Sequence, residues 1–183
     1  DKVRKILKEM RDLVRRNKEE IDRSIRKIEE LIERNKREID KSIEELKRLL
    51  DEVRKIVKDE RDKEKLRRIV EEVDKRIEKI HKENEDHSRR SSEEVEKIHR
   101  ENKEHSDRSS EDIRRLLEEL RKDGLEMVRD VARVVKEVHD DNRRLTEKSE
   151  RVVREAHRRN EEIVKASEEA VREAKRRLEE LRR

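Results

Sequence analysis

Apolar residues step by three and four along almost the whole chain. Val3, Ile6, Leu7, Met10, Leu13 and Val14 open the pattern. It passes a gap at Asn17 and resumes at Ile21, Ile25, Ile28 and Ile32, and Leu46, Leu49, Leu50, Val53, Ile56 and Val57 close it. Such steps put side chains on one face of an α-helix, so the pattern commits the chain to amphipathic helices. There is no proline and a single glycine, Gly124, so few positions can break a helix. Charged residues make up 59% of the chain, hydrophobic ones 28%, and aromatics are absent, which by composition alone would suit a disordered chain. The periodicity overrules that reading, because a helical stripe of aliphatics has a core to build.

Two places break the stripe. The run KDERDKEK over 58–65 carries Asp59 and Asp62, either of which can cap the helix that follows. The run RKDG over 121–124 ends in Gly124, which fits a left-handed C-terminal cap. Helices are therefore expected over about 2–58, 63–122 and 125–182. Each would be roughly 85 Å long at about 1.5 Å per residue. Short connections force neighbouring helices to be antiparallel. The expected fold is all-α: a single up-down-up, antiparallel three-helix bundle of long straight helices spanning 1–183.

An offset of 18 runs through all three helices. HKENEDHSRRSS at 81–92 returns as HRENKEHSDRSS at 99–110. The offset pairs His81 with His99, Asn84 with Asn102, His87 with His105, Ser88 with Ser106, Ser91 with Ser109 and Ser92 with Ser110. It also pairs His139 with His157, Asn142 with Asn160, Ser149 with Ser167, Asn17 with Asn35 and Ser24 with Ser42. Eighteen residues are about five turns at 3.6 per turn, so such a repeat keeps its face along a straight helix.

On a wheel of about 100° per residue, Asn84 sits at the centre of the apolar arc and His81 and His87 flank it on opposite sides. Asn17 and Asn142 are central in their own arcs. Counting from the two breaks puts Asn17, Asn102 and Asn142 at one level and Asn35, Asn84 and Asn160 at another, about 27 Å away. The same count sets His105 near His139, and His87 near His157. Asn, Ser and neutral His each donate and accept, so they can satisfy one another across helices. The expectation is two modules of buried hydrogen bonds, clamped by Leu, Ile and Val at the ends.

These marks resemble those of de novo designed helical bundles: the duplication, the Glu/Lys/Arg surface, the absence of Pro, Cys and aromatics, and the matched Asn/Ser/His levels. In particular the chain resembles designed pH-responsive bundles, whose buried histidine networks are meant to break on protonation. That resemblance implies a pH-sensing set, His81, His87, His99, His105, His139 and His157. Its network partners would be Asn17, Asn35, Asn84, Asn102, Asn142, Asn160, Ser24, Ser42, Ser88, Ser91, Ser106, Ser109, Ser149 and Ser167. Some bundles of this class are obligate oligomers or filament subunits, whereas three helices in one chain can close a core alone.

The residues make a physical case of their own. A buried neutral histidine that accepts a hydrogen bond loses it on protonation and gains a charge in a poorly solvated place. Structure or assembly is then expected to weaken as pH falls through the histidine range, near about 6.5. The alternatives are a purely structural network that fixes register, or a metal site. The metal reading is disfavoured because His81 and His87 splay apart instead of sharing a face as an i, i+4 pair would. Only cross-helix pairs such as His105 with His139, or His87 with His157, could share an ion, so no metal and no cofactor is expected.

Lys and Arg total 56 against 52 Asp and Glu, and the signs interleave, which suits a solvated surface better than a nucleic-acid partner. No apolar run approaches the roughly 20 residues that span a bilayer. No disulfide is possible without cysteine. A close-packed bundle offers no evident cavity for a substrate, so an enzyme is not expected. Ala156, Ala166, Ala170 and Ala174 on one flank read either as small core residues or as a contact between subunits. A monomer is expected, with a homo-oligomer or filament as the open alternative. No targeting signal is legible, and the default expectation for localisation is a soluble cytoplasmic product.

Overall fold

A computed structural model describes residues 1–124 and 129–182. They form α1 (Lys2–Asp59), α2 (Lys63–Lys122) and α3 (Arg129–Arg182), with no strand among the described residues. The expected start of the third helix near 125 lies outside them. Asp62 caps α2: its Oδ1 accepts the backbone N–H of Glu64 at 3.0 Å and that of Lys65 at 3.4 Å. Two donors left over at a helix start are thereby met. At the other end of α2, Gly124 takes φ 65° and its N–H donates to the carbonyl of Arg121 at 3.0 Å.

The chain divides into two compact units, each drawing on all three helices. The first comprises Asp1–Glu30 and Val95–Ala156. Its apolar cluster is Ile6, Met10, Ile113, Leu120, Val131, Val134 and Val138. Fully burying a side chain of this kind stabilises by about 1.5–3 kcal/mol, before chain entropy is set against it. Contacts give the helix directions within this unit. Lys2 pairs with Asp123 and Asn17 bonds Ser106, so partners on α2 fall in number as α1 advances. Asn17 bonds Asn142 and Asp22 meets Lys148 at 3.5 Å, so partners on α3 rise with α1.

The second unit comprises Leu31–Glu94 and His157–Arg183. Its cluster includes Leu46, Leu50, Val53, Val70, Ile77, Ile80, Val171, Ala174 and Leu178. Asn35 bonds Ser88 and Glu45 pairs with Arg76, again in falling order, while Glu33 and Asn35 meet Arg159 and Asn160 in rising order. Among the four alanines, Ala156 and Ala174 are buried, Ala170 is half-buried and Ala166 is exposed. The solvent faces carry many ion pairs at i, i+3 and i, i+4 spacing, each worth little alone. Where they converge the effect is visible: the Arg176 guanidinium, bonded to Glu173 at 2.6 Å, holds that carboxyl below its usual range, with Arg177 assisting.

Candidate functional site

A core asparagine is tolerated only if its amide finds partners, since an unmet buried polar group costs about 1–3 kcal/mol. Six asparagines and six serines are buried among the described residues, three of each in each unit, so the chain has spent much of its interior on this chemistry. In the first unit Asn17 Nδ2 donates to Asn142 Oδ1 at 3.2 Å and lies 3.4 Å from Ser106 Oγ. Asn142 Nδ2 donates to Ser109 Oγ at 3.0 Å. Separately, Asn102 Nδ2 donates to Ser149 Oγ at 3.1 Å.

The second unit holds the same bonds at the duplicated positions. Asn35 Nδ2 donates to Asn160 Oδ1 at 3.0 Å and lies 3.4 Å from Ser88 Oγ. Asn160 Nδ2 donates to Ser91 Oγ at 3.2 Å and to Ser92 Oγ at 3.3 Å. Asn84 Nδ2 donates to Ser167 Oγ at 3.0 Å.

Two expectations need correction. The asparagines do not meet in threes. Asn17 pairs with Asn142, and Asn35 with Asn160, while Asn102 and Asn84 each bond a serine of α3. The count from the helix breaks set Asn102 level with residue 144, but the structure sets it level with Ser149, more than a turn further along. Ser24 and Ser42 also lie outside the networks. Each hydroxyl donates to the carbonyl four residues back on its own helix, of Glu20 at 3.0 Å and of Glu38 at 3.1 Å. A half-buried serine on a helix has that acceptor always within reach.

All six histidines are half-buried. His81 Nε2 stands 2.9 Å from a Glu85 carboxylate oxygen. The Nδ1 atoms of His81 and His99 are sealed from solvent without a hydrogen-bond partner, as are Oδ1 of Asn84 and of Asn102. His87 lines a groove of about 410 Å³ that presents Arg34 and Glu38 from α1, with Arg90, Glu93 and Glu94 from its own helix. His157 lines a different groove, of about 650 Å³, facing Glu85 and Arg89 of α2. His87 and His157 line separate grooves. No group of three or more His, Cys, Asp or Glu among the described residues could hold a metal ion. None of the described helices is long and apolar enough to cross a membrane.

Three contributors were not legible beforehand. Ser92 accepts from Asn160, Thr146 Oγ1 donates to the Asn142 carbonyl at 3.0 Å, and Glu85 meets His81. The last two sit four residues from their partners on one helix, a spacing that brings the Glu85 and His81 side chains together and puts a backbone carbonyl within reach of the Thr146 hydroxyl.

No protein-family model matches the sequence, and no curated protein matches it. Among solved structures, one described as a computationally designed three-helix bundle superposes with a TM-score of 0.69 at 22% identity, over 98% of this chain and 88% of that one. The chain has the three-helix-bundle fold. At that identity the likeness concerns the fold, and the buried asparagine–serine networks are read from this chain's own side chains.

Proposed function

We propose that the chain is a designed structural bundle whose histidines make its stability or assembly respond to acid. Its designed character is supported by the duplication at an offset of 18, the absence of Pro, Cys and aromatics, and the likeness to a computationally designed bundle. In this reading the chain is not an enzyme and takes no cofactor, nucleic acid, membrane or small-molecule partner. Its partner, where it has one, is a second copy of itself.

The observation that carries the acid response is the placement of the histidines. Three fall in each unit, all half-buried, and the Nδ1 atoms of His81 and His99 are sealed from solvent. Protonation adds an N–H and a charge to such a ring. Setting a charge in a sealed place costs desolvation that an unfolded chain avoids. A charge there would oppose the packing, and in this reading structure or assembly weakens on acidification. Glu85 beside His81 opposes this by attracting the cation, but that carboxylate is 58% exposed and screened by water.

The test follows helicity, thermal midpoint and particle size from about pH 8 to about pH 4. Loss of structure or a change of size through the histidine range supports the reading, and flat behaviour rejects it. A second reading is favoured by the Asn–Ser bonds themselves, which need no histidine: a network that serves register alone. It predicts that replacing His81, His99, His139 and His157 with Asn or Gln leaves the acid behaviour unchanged.

A further inference from the structure

His99 and Asn102 stand one turn apart on α2 and present two hydrogen-bonding atoms, Nδ1 and Oδ1, that no protein group meets. Asn102 is 2% exposed, and its amide nitrogen is already used on Ser149. Both residues line a cavity of about 10 Å³, together with Lys103, Ser106, Thr146, Ser149 and Glu150. Two hydroxyls on the wall are engaged elsewhere. Thr146 Oγ1 donates to the Asn142 carbonyl at 3.0 Å, and the Ser106 hydroxyl lies 3.5 Å from Asn17 Oδ1. His99 Nδ1 and Asn102 Oδ1 remain the sealed polar atoms beside this cavity that lack a partner.

The second unit repeats the pair. His81 Nδ1 and Asn84 Oδ1 are likewise sealed and unmet, and Asn84 Nδ2 is used on Ser167. There Nε2 stands 2.9 Å from a Glu85 carboxylate oxygen, a contact that suits a hydrogen on Nε2 and a lone pair on Nδ1. The same two atoms sealed and unmet at both copies mark a built feature, not an accident of one side chain.

With His99 in the same tautomer, its Nδ1 and Asn102 Oδ1 are two acceptors on one small cavity, which suits a guest that donates twice, and the volume sets its size. A space of this size holds about one water molecule, which needs two to four polar partners to be held well. The geometry points to a single structural water between His99 Nδ1 and Asn102 Oδ1, giving one hydrogen to each.

The water is a component of the network: it satisfies the two acceptors that asparagine–serine pairing leaves over. The experiment is a crystal structure of the full chain near neutral pH that resolves ordered waters, joined to water relaxation dispersion in solution. The expected result is a density peak within hydrogen-bond distance of both His99 Nδ1 and Asn102 Oδ1. A long-lived water component should also appear, and part of it should be lost in Thr146→Ile, which fills the cavity from α3 and leaves both acceptors in place. Asn102→Leu should lose the same part. Should that variant fail to fold, the wild-type density and Thr146→Ile decide. A direct Nδ1–Oδ1 hydrogen bond with no peak overturns the assignment, as does a relaxation amplitude that Thr146→Ile leaves unchanged.

Discussion

Asn142 Oδ1 accepts from Asn17, and Asn142 Nδ2 donates to Ser109, so one side chain joins three helices of the first unit. Its replacement by Leu strands the Ser109 hydroxyl and one Asn17 hydrogen. The expected loss is about 1–3 kcal/mol for each buried group left unmet. Replacing Asn17, Ser106, Ser109 and Asn142 together with aliphatic residues of matched volume removes partners on both sides, so that variant should equal or exceed the wild type. Guanidinium unfolding with unchanged slope measures both. A single variant as stable as the wild type would show that the bond carries no net free energy. That Asn17 and Asn142 belong to the core was legible, because about 100° per residue sets them amid aliphatics. The role of Ser92 and the self-bonding of Ser24 and Ser42 were not, because they depend on rotamers and on competition from the helix's own carbonyls.

Among the elements, α1 and α2 were legible nearly to the residue, since their boundaries rest on local chemistry. Asp62 supplies the cap at the start of α2 and Gly124 the left-handed turn beyond its end. Register was less legible. It depends on how the chain passes from one helix to the next, and a shift of one turn leaves an amphipathic face facing inward, so the apolar pattern constrains it weakly. The polar positions constrain it more strongly, because Asn102 opposite Ser149 and Asn84 opposite Ser167 can each find a partner. Gly124 permits a clean test of the turn. A Cβ added there would meet no atom within 4 Å, so any cost of Gly124→Ala comes from the backbone at φ 65° alone. The expected loss is about 1–2 kcal/mol in thermal or denaturant unfolding, and less for Gly124→Asn, which tolerates that conformation better. Equal losses for Ala and Asn would point to something other than the left-handed backbone.

At the scale of the whole molecule, the duplication gives each unit its own set of three histidines: His99, His105 and His139 in the first, and His81, His87 and His157 in the second. Each asparagine–serine network also finds its partners within its own unit. Sites that share no partner contribute additively. If acid acts through the histidines, each set should carry roughly half of the response, by the additivity of independent sites. Replacing one set with Asn should leave about half of the wild-type fall in thermal midpoint between about pH 7.5 and about pH 4.5. Replacing the other set should do the same, and replacing all six should leave only the contribution of the carboxylates, which begin to protonate near about pH 4. The six-fold variant is the decisive arm. The chain has 52 Asp and Glu residues, many of them in ion pairs, and their protonation would also weaken the bundle in acid. An undiminished fall in that variant would assign the acid response to the charged surface and leave the histidines with a packing role.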